Sequence, residues 1–294
     1  MQLRQRTVEI AQDLPSGIHE LVPASLRRSL RHRLGRYYPW ELGFDHHVWP
    51  ELAPGEETGP PEFVGIGVQK AGTSWWYTLI VEHPLVYAPA LVHKERHFFA
   101  RFGAEGFGPD QIADYHAWFP RIPGTITGEW TPDYFYYPWA PPLLAQAAPD
   151  AKLLLILRDP IQRFRSGLAH QLRDGEEHVG SAQAEALGRS FYAVALRRWQ
   201  ACFPPEQLLV MQYEACVADP MAQLRRTYAY LGLEADVEPA GLRLEVNKTR
   251  ETKASLPPDA YDRLQGVLAP DIAELAALLP DLDLSLWPSA AGIA

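Results

Sequence analysis

The run Phe63-Val64-Gly65-Ile66-Gly67-Val68 passes directly into Gln69-Lys70-Ala71-Gly72 and then Thr73-Ser74-Trp75-Trp76. An apolar, β-branched and glycine-punctuated segment reads as a buried parallel strand. The small residues after it read as a tight turn, and the apolar residues from Trp75 to Val81, stopping before Pro84, read as a helix. Strand, glycine-bearing loop and helix aim backbone N–H groups and the hydroxyls of Thr73 and Ser74 at one point, with the positive end of a helix behind them. Such a corner suits a phosphate. The spacing is that of a nucleotide-binding P-loop, but the lysine that pattern needs beside its hydroxyl residue is missing, and Lys70 stands earlier in the loop instead. A glycine-rich turn with no ligand satisfies the same letters.

The rest of the chain supports an α/β reading. Its 294 residues, 47% of them hydrophobic, are enough for one large domain. Strands are expected at Leu85–Ala88, Thr125–Glu129, Lys152–Leu157 and Gln207–Gln212. Helices are expected at Pro141–Ala148, Ile161–Leu172, Ala182–Phe203 and Pro220–Leu231. This alternation predicts a P-loop-like, doubly wound central parallel β-sheet flanked by helices, with ligands gathered at the carboxyl ends of the strands. Both Lys70 and Arg158 follow such ends. The domain is assigned to residues 62–294. Residues 1–61 are assigned to an arm docked on it, because the cluster Tyr37-Tyr38-Pro39-Trp40 is too aromatic for a free tail. Within the arm, Leu26–Leu34 alternates leucines with four arginines, a pattern for a solvated helix or for peripheral contact with a membrane or lipid-linked substrate. Pro54–Pro61 reads as a linker.

Composition excludes several classes. A net charge of −9 argues against nucleic acid as the main partner. Two cysteines, Cys202 and Cys216, are too few for a disulfide framework and are expected as free thiols. The N-terminus lacks a signal-peptide pattern, which makes a cytoplasmic setting the expectation. His93 and His97 have a helical metal-pair spacing, but no His-Glu-x-x-His order or third ligand accompanies them, so no metal is expected.

Arg158-Asp159-Pro160, with Ser166 eight residues after the arginine, supplies a second anion-holding motif. Coupled to the Lys70 loop, the pair resembles the two phosphate sites of sulfotransferases that use 3′-phosphoadenosine 5′-phosphosulfate (PAPS). Lys94-Glu95-Arg96-His97-Phe98-Phe99 is similar to the segment that carries the catalytic glutamate in the heparan sulfate (carbohydrate) branch and its bacterial relatives. Glu129-Trp130-Thr131-Pro132-Asp133-Tyr134-Phe135, Asp219-Pro220 and Asn247-Lys248-Thr249 extend the likeness over roughly residues 62–270.

The resemblance implies PAPS as donor co-substrate and 3′-phosphoadenosine 5′-phosphate (PAP) as product. It implies that Lys70, Ala71, Gly72, Thr73 and Ser74 cradle the 5′-phosphosulfate, and that Arg158 and Ser166 hold the 3′-phosphate with Arg250 or Lys253 closing over it. Trp75 or Trp76 is a candidate to stack on adenine, with core packing as the other role. Glu95 becomes the candidate general base, Lys94 a neighbour able to tune it or to touch the sulfonate, and His97 the rival base. Glu129, Trp130 and Tyr134 are candidates for the acceptor side, together with the aromatic stretches 115–119 and 130–139, with a buried structural carboxylate at Glu129 and core packing of the aromatic stretches as equal alternatives. Two departures stand out: Trp130 occupies a position where the branch usually has lysine, and Lys253-Ala254-Ser255 replaces its Lys-Gly-Arg. The expected reaction is sulfuryl transfer to a hydroxyl or amine of a carbohydrate, lipid-linked or secondary-metabolite acceptor. A nucleotide-dependent kinase and a non-catalytic nucleotide- or glycan-binding relative are the alternatives.

Overall fold

The computed structural model describes residues 52–88, 94–173, 179–243 and 255–293, all within the compact unit Asp45–Ala294. The basic helix expected at 26–34, His93, Arg250 and Lys253 lie outside these residues. Four strands form the central sheet: β2 (Phe63–Gly67), β4 (Gly128–Trp130), β5 (Lys152–Leu157) and β6 (Leu208–Gln212). They are parallel, in the order β4-β2-β5-β6. Every residue of β2 is buried, as are Leu153–Leu157, as expected of strands covered on both faces.

Two expectations about strands change. Pro54–Pro61 is more than a linker, because β1 (Glu57–Thr58) pairs antiparallel with β3 (Pro120–Arg121) and ties this segment to the body. Leu85–Ala88 contributes a single bridge, Val86 to Ile126, rather than a strand.

The described helices are α1 (Thr73–Val81), α2 (Pro109–His116), α3 (Ala140–Ala147), α4 (Pro160–Arg173), α5 (Val179–Gly188), α6 (Ala193–Gln200), α7 (Tyr213–Ala218), α8 (Pro220–Leu231) and α9 (Pro258–Leu278). α8 packs on α1 through a buried hydrogen bond from Trp76 Nε1 to Thr227 Oγ1 (3.1 Å) and another from the Tyr228 hydroxyl to the Leu79 carbonyl (2.8 Å). Trp76 is therefore core.

The long helix expected at Ala182–Phe203 is two helices. Asp271 of α9 accepts from the backbone N–H groups of Tyr192 (2.7 Å) and Ala193 (3.1 Å), capping the start of α6 with a carboxylate from a distant helix. Ser190, fully buried in the break, donates to the Pro160 carbonyl at 3.0 Å.

The strand order positions the site. From β2 the chain crosses toward β4, and from β5 it crosses toward β6, so the loops leaving β2 and β5 diverge and open a crevice at their carboxyl ends. The Lys70 turn follows β2 and Arg158 follows β5.

Candidate active site

The turn is held in a shape few residues adopt. Lys70 has φ 72° and Gly72 φ 78°, both left-handed. At Gly72 the reason for glycine is also steric, since a Cβ would sit 2.9 Å from the ring of Tyr213. A non-glycine residue in this region costs energy that its surroundings must meet. Here the Lys70 carbonyl accepts a hydrogen bond from Arg158 NH1 at 2.7 Å, which joins the two anion-holding motifs directly. The Arg158 guanidinium also lies over the Tyr213 ring, 4.6 Å from its centroid. Its Nε is buried without a hydrogen-bond partner. Ser166 is buried two turns into α4.

Gly72 begins α1 without any side-chain cap, leaving the first turn's N–H groups available. Thr73 and Ser74 follow, and their hydroxyls meet an unexpected partner: Lys94 Nζ lies 3.0 Å from Ser74 Oγ and 3.3 Å from Thr73 Oγ1. The same ammonium pairs with Glu95 Oε1 at 2.8 Å. Glu95 Oε2 faces His97 Nε2 at 3.2 Å, and His97 Nδ1 faces Asp133 Oδ2 at 3.8 Å. Asp133 is ion-paired with Arg189, whose Nε reaches Glu185 at 2.9 Å. Lys94, Glu95 and His97, expected as a catalytic cluster, are thus brought onto the phosphate-type loop. Asp133, Arg189 and Tyr213 are members of the site that sequence reading missed. Tyr213 stands at the end of a strand, a position that could have flagged it; Asp133 and Arg189 carry no local signal of pairing across 56 residues.

The charges in this strip are mutually set. Burial alone would raise the Glu95 carboxyl, but the hydrogen bond from His97 and the Lys94 ammonium outweigh it and bring it down to about 2. Burial acts to lower His97, yet its bond to Glu95 and the charge of Asp133 raise it overall. Burial pulls the Lys94 ammonium below its ordinary range, against the opposing pull of Glu95.

Beneath the strip lies a different environment. Glu129 has no exposed surface, and its carboxylate accepts from Thr131 Oγ1 (2.5 Å), the Tyr115 hydroxyl (2.7 Å), the Tyr134 hydroxyl (3.2 Å) and the Arg96 backbone N–H (3.2 Å). Burial pushes it above the usual carboxylate range. Tyr134 in turn accepts from the Phe98 N–H at 2.8 Å, and Thr131 Oγ1 from the N–H groups of Arg96 and His97. Glu129, Tyr134 and Thr131 therefore anchor the backbone that presents Glu95 and His97.

Trp130, also fully buried, lies against Gly65, where a Cβ would come within 2.0 Å of the indole, and donates to the Gly67 carbonyl. The expectation that Glu129, Trp130 and Tyr134 contact the acceptor is corrected: all three face the interior. The same holds for the aromatic stretch at 115–119. There α2 forms, and Tyr115 and Phe119 are core. Trp75 stays half-buried at the mouth of α1, whereas Tyr137 and Trp139 stack on one another at 5.2 Å, both half-buried.

A model of the sulfotransferase family matches residues 129–237, the span containing the buried Glu129 anchor, β5, Arg158 and Ser166. Heparan sulfate glucosamine 3-O-sulfotransferase 3B1 of Mus musculus is 32% identical over 189 residues, 59% of this chain and 46% of that protein. A crystal structure of a sulfotransferase from Alicyclobacillus acidocaldarius superposes with a TM-score of 0.64 at 26% identity, covering 77% of this chain and 98% of the other. Residues 129–237 thus carry a sulfotransferase-family match, within a fold shared with a solved sulfotransferase. The human heparan sulfate glucosamine 3-O-sulfotransferase 6 is also 32% identical, over 62% of this chain and 54% of its own length. The chain spans about half the length of the curated relatives it matches.

Proposed function

We propose that this protein transfers a sulfuryl group from PAPS to a hydroxyl of a carbohydrate acceptor, with Glu95 as general base. One observation carries the reading: a single ammonium, Lys94 Nζ, touches both loop hydroxyls and the Glu95 carboxylate, so the anion cradle and the base belong to one site. The residues fit the donor's two anionic ends. The open first turn of α1, Thr73 and Ser74 suit the 5′-phosphosulfate, and Arg158, with its unpartnered Nε, suits the 3′-phosphate.

In the reaction, the acceptor oxygen attacks sulfur in line, its proton passes to Glu95, and the bond from sulfur to the bridging phosphate oxygen breaks with its electron pair, releasing PAP. Lys70 and Lys94 stand beside the oxygen that gains charge, where preorganised cations contribute most. The exposed 38% of the Glu95 side chain gives a substrate hydroxyl access to it. A carbohydrate acceptor is supported by the relatives, whose names specify glucosamine of heparan sulfate.

Titration calorimetry with PAP and with ATP plus magnesium, followed by labelled-sulfate transfer to a panel of glycans, tests this. Tight PAP binding without magnesium and label on a glycan are expected. Magnesium-dependent ATP binding with no response to PAP would replace this reading with a kinase.

A further inference from the structure

Resting on that donor chemistry, we infer that Lys94 is a donor-operated clamp on Glu95: its ammonium restrains the carboxylate until an anion seated at Thr73 and Ser74 draws it away. The geometry has three parts. First, an ammonium has three N–H donors, and Lys94 Nζ has three acceptors around it, Glu95 Oε1 at 2.8 Å, Ser74 Oγ at 3.0 Å and Thr73 Oγ1 at 3.3 Å. It has no donor to spare for a fourth acceptor.

Second, an incoming phosphosulfate carries more negative charge than one carboxylate and is received by the same two hydroxyls, which rotate to donate to it. The lysine serves that anion by giving up the bond to Glu95.

Third, Glu95 keeps its aim when the lysine leaves, because His97 holds its other oxygen at 3.2 Å. His97 is steadied from behind by Asp133, itself paired with Arg189. The charged groups that face Glu95 are Lys94 and His97; Arg96, the residue between them in sequence, turns away and donates to the Trp118 carbonyl.

The consequence is an order of events. With Lys94 attached, Glu95 binds a proton too weakly to activate an acceptor. Loading the donor removes that cation from the carboxylate and raises its basicity just as the electrophile arrives. Lys94 is then a positioning residue toward Glu95 as well as a donor contact.

The test follows the Glu95 carboxyl by carbon-13 NMR in the full chain, wild type and Lys94→Gln, across a pH titration with and without saturating PAP. In the wild type PAP should raise the midpoint by about one pH unit or more, the size of a lost close charge. Lys94→Gln should start from the higher midpoint and respond less than half as much. Kinetically, Lys94→Gln should raise the donor KM about tenfold or more, one charge-assisted contact, while the acid limb of its kcat profile at saturating donor overlays the wild type.

An unmoved wild-type midpoint in the PAP complex, or an acid limb displaced upward in the variant, would overturn the clamp and leave Lys94 a static partner. Failure of the underlying reading looks different: PAP would not bind, or Glu95→Gln would transfer sulfate at the wild-type rate.

Discussion

Glu95 and Glu129 are the same residue type, linked through the backbone N–H of Arg96 that Glu129 accepts from, and the fold treats them oppositely. Glu95 is partly exposed and gripped by two cationic side chains, Lys94 and His97, which hold it down to about 2. Glu129 is sealed among two phenols, a hydroxyl and a backbone N–H, and burial pushes it up. A carboxylate meant to meet a substrate needs an opening and mobile partners. One meant to fix a backbone needs directional, neutral donors and no water. The lower box fixes the backbone of residues 96–98, from which the upper strip projects.

The comparison can be broken by exchanging the roles. Glu95→Gln should lower kcat by about 10²- to 10⁴-fold, the usual contribution of a general base, with a smaller Tm loss than a change at Glu129 brings; labelled-sulfate transfer and a thermal melt read both. Glu129→Leu should do the reverse to stability. It strands the Tyr115 and Thr131 hydroxyl donors in the interior at about 1–3 kcal/mol each, read as a lower midpoint in a urea titration. A rate loss from Glu129→Gln without loss of stability would contradict its anchoring role.

Gly65→Ala tests the floor under the strip. Its Cβ would collide with the Trp130 indole, and overpacking of this kind costs roughly 1–3 kcal/mol, measured as a lower urea midpoint with an unchanged slope.

The smallest effect sharpens the contrast most, because the two carboxylates have stability profiles of opposite slope. Glu95, depressed, contributes stability that is complete above its ordinary value of 4.5 and is lost as pH falls toward about 2. Glu129, raised, contributes stability that is complete below 4.5 and is lost as pH climbs through its folded value. Tm profiles from pH 2.5 to 7 should therefore lose their acid-side fall in Glu95→Gln and part of their rise-side decline in Glu129→Gln. Parallel profiles for the two variants would mean that the environments are not distinct.

Much of this was legible along the chain. Lys152–Leu157 and Pro220–Leu231 form the strand and helix that their patterns predict, because an unbroken apolar run and a proline-started, glycine-ended periodic run each specify local structure. The Lys70 turn and its following helix were likewise written in consecutive residues.

Burial was not. Trp130 and Tyr134 look like ligand-facing aromatics in sequence, and only the gap left by Gly65 and the Phe98 N–H reveal them as internal. The break between α5 and α6 depended on Asp271, nearly eighty residues away, and the meeting of Lys94 with Thr73 and Ser74 on how β2 and β4 pair side by side. By itself, then, the sequence determined the main strands, the turn and the order of motifs, since these follow from short-range periodicity and backbone preference. Which carboxylate meets solvent, which is sealed, and which lysine holds the base were decided by tertiary structure. Those properties depend on desolvation and on charges a few ångströms apart, distances that chain separation does not encode.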